Sequence, residues 1–271
     1  MNLQRFIEQQ IYLGYSLHQH DGVWWQQQSQ FHCKPVFFFQ EFPYGASRPI
    51  WYRSTAGYSH LVPDGETFNS IHSVLMLQWD SSNLFDISDL SYRRRSIVRR
   101  GQKKNSVHLI TELEPLLESI RQIVISTRSR TGVGNPISYY FNHYNKWRND
   151  MLKSFEMDDR YWWGAFVDEQ LVAYFHTIYL ENTLTILAAK SHSDFLYTSP
   201  NDTILFNIMK HAFNELGCQT INYGDYSETD DKLLYFKQSY GFKKYEFPEY
   251  IHLNPISRPL LNLRRTMRKS N

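Results

Sequence analysis

Between Tyr161 and His192 the chain reads YWWGAFVDEQLVAYFHTIYLENTLTILAAKSH, three runs rich in β-branched and aromatic residues. Asp168-Glu169 and Glu181-Asn182 separate them, and polar pairs between such runs are hairpin turn signals, so this stretch is predicted to be an antiparallel meander. A helix follows in SPNDTILFNIMKHAFNELG, with Ser199 suited to the N-cap, Pro200 to the first helical position, Asp202 to the first turn and Gly217 to the stop. Ile204, Leu205, Ile208, Ala212 and Phe213 give this helix one buried stripe. Thr220 to Tyr223 then reads as a short buried strand, Asp230 to Tyr240 as a helix stopped at Gly241, and Tyr245 to Leu253 as a last strand.

Upstream of the meander the pattern predicts a basic helix over Ile87 to Lys104, a strand at Val107 to Thr111, a helix opening at Glu112 to Glu118 and another over Pro136 to Ser154. Tyr139, Tyr140, His143, Tyr144 and Trp147 recur at helical spacing in the last of these, a pattern that marks core. Before about residue 83, short β-prone runs (Val23 to Gln26, Pro35 to Phe42, Ser73 to Trp79) alternate with turn-rich stretches. The expectation is therefore an α/β (α+β) chain in two parts, a β-rich subdomain over 1–83 and a mixed domain over 84–271.

A hydrophobic content of 42% supports a buried core and excludes disorder as the main state. Cys33 and Cys218 lie far apart without metal-ligand spacing, so neither a disulfide framework nor a metal site is expected, and a reducing compartment fits. No stretch approaches the roughly 18 apolar residues of a membrane span, and the start MNLQRFIEQQ lacks a secretion pattern, which together point to the cytoplasm. No hydrolase, metalloprotease, kinase or dinucleotide-binding motif is present.

The net charge of +2 conceals one strongly basic run, YRRRSIVRRGQKK, whose Arg93, Arg94, Arg95, Arg99, Arg100, Lys103 and Lys104 are accompanied by no acid. Such a run suits a polyanion, and it is equally what a solvated helix face carries. Arg264, Arg265 and Arg268 in the tail add further basic candidates.

The element order, ending in LLYFKQSYGF and a last strand, resembles the GNAT acyltransferase fold over roughly residues 85 to 255, with Leu234, Tyr235, Gly241 and Phe242 at the places of that family's helix ending. The resemblance sharpens toward the Fem-like branch, whose basic helix before the first strand is matched by RRRSIVRRGQKKNSV. Its other two elements are matched by SPNDTILFNIMKHAFNELG and by Phe236-Lys237 through Tyr240-Gly241. The resemblance implies a mixed, largely antiparallel sheet flanked by helices and an enzyme that transfers an acyl or aminoacyl group to an amine. The activated donor it implies is an acyl-CoA, an acyl carrier protein or an aminoacyl-tRNA, with no tightly bound cofactor. The acceptor would be an amine-bearing small molecule or peptide. Residues 1–83 would then be a reduced companion lobe.

Two departures shape this reading. The Gly-rich loop with which ordinary GNAT enzymes hold a pyrophosphate is replaced by Ser199-Pro200-Asn201-Asp202. A helix start there still offers free N–H groups to a donor, with Ser199, Asn201 and Thr203 as the binding candidates, but Asp202 would oppose a phosphate. Where many members place an acid tyrosine, four residues before Gly241, this chain has Lys237. A lysine at that place could face the oxyanion of a tetrahedral intermediate, or it could be a solvated helix residue.

Asp225, at the C-terminal end of a predicted strand, is the candidate to orient or deprotonate the amine, against the reading that Gly224-Asp225 makes a turn. Tyr235 is a candidate secondary proton donor, and Tyr223, His176 and His192 read more readily as structural. Three functions stay open on these residues: an N-acyltransferase using an acyl thioester, a Fem-like transferase using aminoacyl-tRNA, and a non-enzymatic module that binds nucleic acid or another acidic partner through its basic surface.

Overall fold

A computed structural model describes residues 2–28, 32–37, 39–80, 82–227 and 230–255 of the 271; the tail arginines Arg264, Arg265 and Arg268 lie outside the described residues. The chain divides into two compact units, one holding residues 2–73 and 245 onward, the other holding 74–244. The expected change of pattern near residue 83 thus stands beside a division at 73/74, and the segment from Tyr245 counts with the N-terminal unit.

In the N-terminal unit, helix α1 (Leu3–Tyr12) starts at Asn2, whose side chain accepts a bond from the Arg5 N–H. Strands β1 (Leu17–His20) and β2 (Val23–Gln27) form a hairpin through Asp21-Gly22, both with positive φ, as a two-residue turn demands. Strand β3 (His32–Pro35) pairs antiparallel with β2 and parallel with β4 (Gly57–Leu61). Of the predicted strand over Pro35 to Phe42, Pro35 ends β3, and Phe42 enters the small core of Val23, Trp25 and Cys33. Trp25 there meets Phe42 and Tyr58 edge-on, with both pairs of ring centroids 5.7 Å apart.

The larger unit begins within β5 (Ser70–Gln78). Helix α2 (Tyr92–Gln102) is shorter than the basic helix predicted over Ile87 to Lys104. Asp86 and Asp89 cap each other's backbone around a single 3-10 turn, Leu90 is extended, and Ser91 restarts the chain as the α2 N-cap. Strand β6 (Ser106–Leu109) leads to α3 (Leu117–Thr131), which stops at the left-handed Gly132. The single helix expected over Pro136 to Ser154 is two, α4 (Tyr139–Asn142) and α5 (Tyr144–Phe155), broken at His143.

The meander forms as expected from β7 (Arg160–Val167), β8 (Gln170–Leu180) and β9 (Thr183–Ser191), with positive φ at Asp168, Glu169, Glu181 and Asn182. Helix α6 (Pro200–Lys210), strand β10 (Thr220–Asp225), helix α7 (Asp231–Ser239, capped by Asp230) and strand β11 (Lys243–Leu253) complete the order. In this unit the sheet runs β5-β10-β9-β8-β7-β6, antiparallel except for the β9–β10 pair. In the other unit, β11 returns antiparallel to β4.

Each sheet face of the larger unit is buried by its own helices. One core joins Leu184, Ile186, Phe175 and Val172 to Ile204, Leu205, Ile208, Ala212 and Phe213 of the α6 region and to Val98 of α2. The other joins Trp162, Leu171 and Tyr174 to Ile120, Ile123 and Val124 of α3 and Trp147 of α5. Removing apolar side chains of this size from water contributes on the order of 2 kcal/mol each, and alternation along each strand assigns them to one face or the other.

Candidate functional site

Strands β9 and β10 stay together only briefly. They pair in parallel through Thr183–Thr185 and Thr220–Asn222, after which β9 runs on to Ser191 against β8 while β10 runs on to Asp225. The register breaks on both sides of this parting: between His176 and Thr177 on β8, which leaves Leu187 of β9 unpaired and 48% exposed, and between Asn222 and Asp225 on β10. A bulge bends its strand and frees the neighbouring backbone, so a fork opens in the sheet at a fixed place. Long-range pairing of this kind leaves no mark on local sequence.

Lys237 of α7 is positioned at this fork. Its ammonium donates to the backbone carbonyl of Tyr223 at 2.6 Å and lies 4.6 Å from the centroid of the Tyr223 ring, and the residue is only 7% exposed. Burial lowers its pKa from the ordinary lysine range, while the carboxylates of Asp225 and Asp230 oppose that shift. The structure therefore brings two of the predicted catalytic residues, Lys237 and Asp225, within electrostatic reach at the end of β10. It does not bring Tyr235 to them. Two residues along a helix turn a side chain to the other side, and Tyr235 is 51% exposed with its hydroxyl accepting a bond from Arg93 Nη1 at 3.0 Å. Tyr223 is buried, and burial pushes its phenol well above the usual range.

At the start of α6, Ser199 occupies the N-cap position in the left-handed region, with φ 57°, and its side chain caps nothing. Thr203 is buried with its hydroxyl turned back onto the carbonyls of Ser199 and Pro200. Asn201 reaches the end of β9, donating to Ser191 Oγ at 3.2 Å, while its own carbonyl oxygen is buried without a partner among the described residues. The acid that was expected to oppose an anion here is neutralised: Asp202 accepts bonds at 2.8 Å from both Arg94 Nη1 and the Tyr240 hydroxyl.

That pairing separates Arg94 from the rest of the basic run. Arg94 is 7% exposed; it also donates through Nε to Ser239 Oγ at 2.6 Å and lies over the Phe236 and Tyr240 rings. It ties α2 to α6 and α7, and its charge is occupied within the fold. With Val98 and Gly101 it forms the buried stripe of α2, which the buried Asn105 continues just past the helix end. Gly101 is required there because a Cβ would stand 2.6 Å from Thr203 Cγ2 and 3.3 Å from the carbonyl oxygens of Thr198 and Ser199. Asn105 closes the contact, donating to the Gly101 and Thr198 carbonyls and accepting from the Thr198 hydroxyl.

The opposite side of α2 carries the remaining cations. A groove of about 490 Å³ is lined by Tyr92, Arg95, Ser96, Arg99, Arg100 and Lys103. Arg93 is engaged with Tyr235, and Lys104 lies over the Tyr197 ring at 5.3 Å. Six of the seven predicted polyanion-binding residues thus lie outside the buried stripe without a carboxylate partner among the described residues, four of them around one groove.

Sequence reasoning missed Arg128, Arg130 and Lys190. Arg130 Nη2 lies 3.5 Å from Ser191 Oγ, which connects the end of α3 to the fork, and Lys190 is half-buried on β9 beyond the point where β10 departs. One signal was present: no acid occurs between Ser119 and Asn149.

No protein-family model matches the sequence, and no curated protein matches it. Among solved structures the chain is similar to FemX, with a TM-score of 0.63 at 13% identity, covering 96% of this chain and 93% of that one. It is also similar to the C-terminal domain of a putative lysylphosphatidylglycerol synthetase from Agrobacterium fabrum, with a TM-score of 0.64 at 10% identity over 94% of this chain and 90% of that one. L-PGS from Bacillus licheniformis matches with a TM-score of 0.58 at 13% identity over 96% and 93%. The chain shares the fold of these structures, a largely antiparallel sheet flanked by helices, as the sequence resemblance implied. Among the described residues, no helix is long and apolar enough to cross a membrane.

Proposed function

We propose that this chain is a transferase that moves an acyl or aminoacyl group from an activated donor to an amine. The observation that carries the reading is Lys237, a buried ammonium held against the Tyr223 carbonyl at the point where β9 and β10 part. Sequestering a cation from water costs free energy, and a charge kept at such a cost beside an opening in a sheet is a candidate for chemistry.

In the proposed reaction the amine nitrogen attacks the donor carbonyl carbon, forming a C–N bond, and the negative charge that develops on the carbonyl oxygen is faced by an N–H of Lys237. The carbonyl re-forms as the C–O or C–S bond to the donor breaks. The proton released by the amine passes to Asp225 or to solvent, and the leaving oxygen or sulfur takes one up. A donor aimed at a developing oxyanion contributes roughly 3 to 4 kcal/mol. At the start of α6, whose local acid is already paired with Arg94, the Ser199 side chain and the Asn201 N–H are the donor contacts, since the Ser199 and Thr203 N–H groups donate to the Leu196 and Ser199 carbonyls.

The α2 groove favours a polyanionic donor, and of the candidates an aminoacyl-tRNA suits it better than a thioester of coenzyme A or a carrier protein. Four cations spaced along more than two helical turns match a phosphate backbone. A panel of charged tRNA, acyl-CoA and acyl carrier protein, each offered with a set of amines and followed by mass gain, tests the reading. Transfer from charged tRNA is expected to fall about 10² to 10³-fold in Lys237→Ala with the fold intact. Transfer from no donor, with RNA binding that persists in Lys237→Ala, would instead favour a non-enzymatic binding module.

A further inference from the structure

We infer that Lys190 and Arg130, supported by Arg128, form a binding site for an anionic group, a carboxylate or phosphate, carried by the amine acceptor. The assignment of that anion to the acceptor rests on the transferase reading; the site itself rests on the following geometry.

From Ser119 to Asn149 the chain contains five arginines and lysines and no acid. Three of the five have carboxylate partners: Arg121 with Glu118 at 2.8 Å, Lys146 with Asp150 at 2.7 Å, and Arg148 with Glu114. Arg128 and Arg130, in the last turn of α3, have none among the described residues, and neither does Lys190. Cations at the end of a helix complement its dipole, which accounts for the two arginines. It does not account for Lys190, which belongs to a strand.

Lys190 pairs in register with Tyr174, so it stands on the sheet face covered by α3 and α5, beside the aromatic cluster of Trp162 and Tyr174. It is half-buried there with Arg130 as its charged neighbour, and burial and that like charge both lower its pKa. The groups that face this corner are Arg128, near the Tyr140 hydroxyl, Arg130, Lys190 and the buried Tyr174, and they include no carboxylate. The half-buried Lys190 and the exposed Arg130 repel in the empty protein. A bound carboxylate or phosphate would replace that repulsion with charge-assisted hydrogen bonds, each worth about 1.5 to 3 kcal/mol.

The location gives the site its use. Lys190 lies on the part of β9 that β10 has left, and Ser191 next to it is contacted by both Arg130 and Asn201. The donor candidates lie along α2 and the start of α6, on the other face of the sheet. An anion held by Lys190 and Arg130 would therefore approach the fork from the α3 side, leaving the α2 side to the donor.

Calorimetric titration of the full chain with inorganic phosphate and with succinate, at constant ionic strength held with sodium chloride, tests this. Lys190→Gln and Arg130→Gln are each expected to weaken binding of the preferred anion at least about tenfold, while Lys190→Arg retains most of it and Lys146→Gln leaves it unchanged. The preferred anion tells a carboxylate-bearing acceptor from a phosphate-bearing one. Binding of neither anion at about 10 mM, or binding indifferent to both substitutions in folded protein, overturns the site. If no amine is acylated but Lys190-dependent anion binding persists, the transferase reading fails and the site stands. If matched amines with and without an anionic group are acylated equally and Lys190-dependent binding is absent, the transferase stands and the site fails.

Discussion

The two faces of the sheet around the fork treat positive charge in opposite ways. On the face covered by α2, α6 and α7, the buried cations have partners: Arg94 holds Asp202 and Ser239, and Lys237 holds the Tyr223 carbonyl under the field of Asp225 and Asp230. On the face covered by α3 and α5, the half-buried Lys190 has the exposed Arg130 as its charged neighbour, and neither has a carboxylate partner among the described residues. A buried pair that satisfies itself acts as a joint between elements, whereas a half-buried cation that faces only a like charge holds a place for an anion. The same residue types are scaffold on one side and binding capacity on the other.

The largest effect is expected from breaking the satisfied side. Arg94→Ala removes the partner of an Asp202 that is mostly enclosed, and unpairing a buried charge costs about 3 to 5 kcal/mol, measurable as a lower urea midpoint. The double variant Arg94→Leu with Asp202→Leu is expected to recover much of that loss, because no orphaned charge is left. A double variant no more stable than Arg94→Ala would show that the pair is more than a joint.

An effect smaller at each pH step concerns His176, on the α3 face, stacked on Trp162 at 4.0 Å between ring centroids. Burial, reinforced by Arg160, holds its pKa down at about 3. The unfolded chain therefore binds a proton in the window from about pH 6.5 down to 3 that the folded chain does not, so stability rises with pH there and is lost on acidification. The slope from this one group reaches about 1.4 kcal/mol per pH unit. Comparing His176→Phe with the parent chain across that window isolates it from the carboxylates; parallel curves would mean that the imidazole is not held neutral.

The smallest effect sharpens the contrast. Lys190→Gln removes a repulsion rather than a bond, so its unfolding free energy is expected within about 0.5 kcal/mol of the parent or slightly above it. A loss beyond 2 kcal/mol would place Lys190 with Arg94 as a structural residue.

The meander, the α6 stripe and the stop at Gly241 were legible because each is written locally, in turn pairs with positive φ or in helical spacing. The break at Leu90 was not, since the mutual capping of Asp86 and Asp89 looks like ordinary helix-compatible sequence. The basic run was read as one unit because composition counts charges without faces. Yet the spacing of Arg94, Val98, Gly101 and Asn105 already sets one stripe apart from Arg95, Arg99 and Lys103. For the site, Lys237 and Asp225 came from motif and strand-end position, whereas Lys190 and Arg130 meet only through tertiary packing that no local pattern encodes. The fork itself depends on which strands pair and where they stop.

The contact at Gly101 has a mechanical meaning for the groove on the far side of the same helix. With Thr203 Cγ2 and two carbonyl oxygens packed against its backbone, and with Asn105 clamped to Thr198, α2 can neither slide along α6 nor roll on it without steric collision or unsatisfied buried amides. Arg95, Arg99 and Lys103 are thus mounted on a rigid rail. An anion docking on that rail would meet charges already in place, so little ordering of the backbone would be charged against its affinity, and its arrival would be governed by long-range attraction and the salt that screens it.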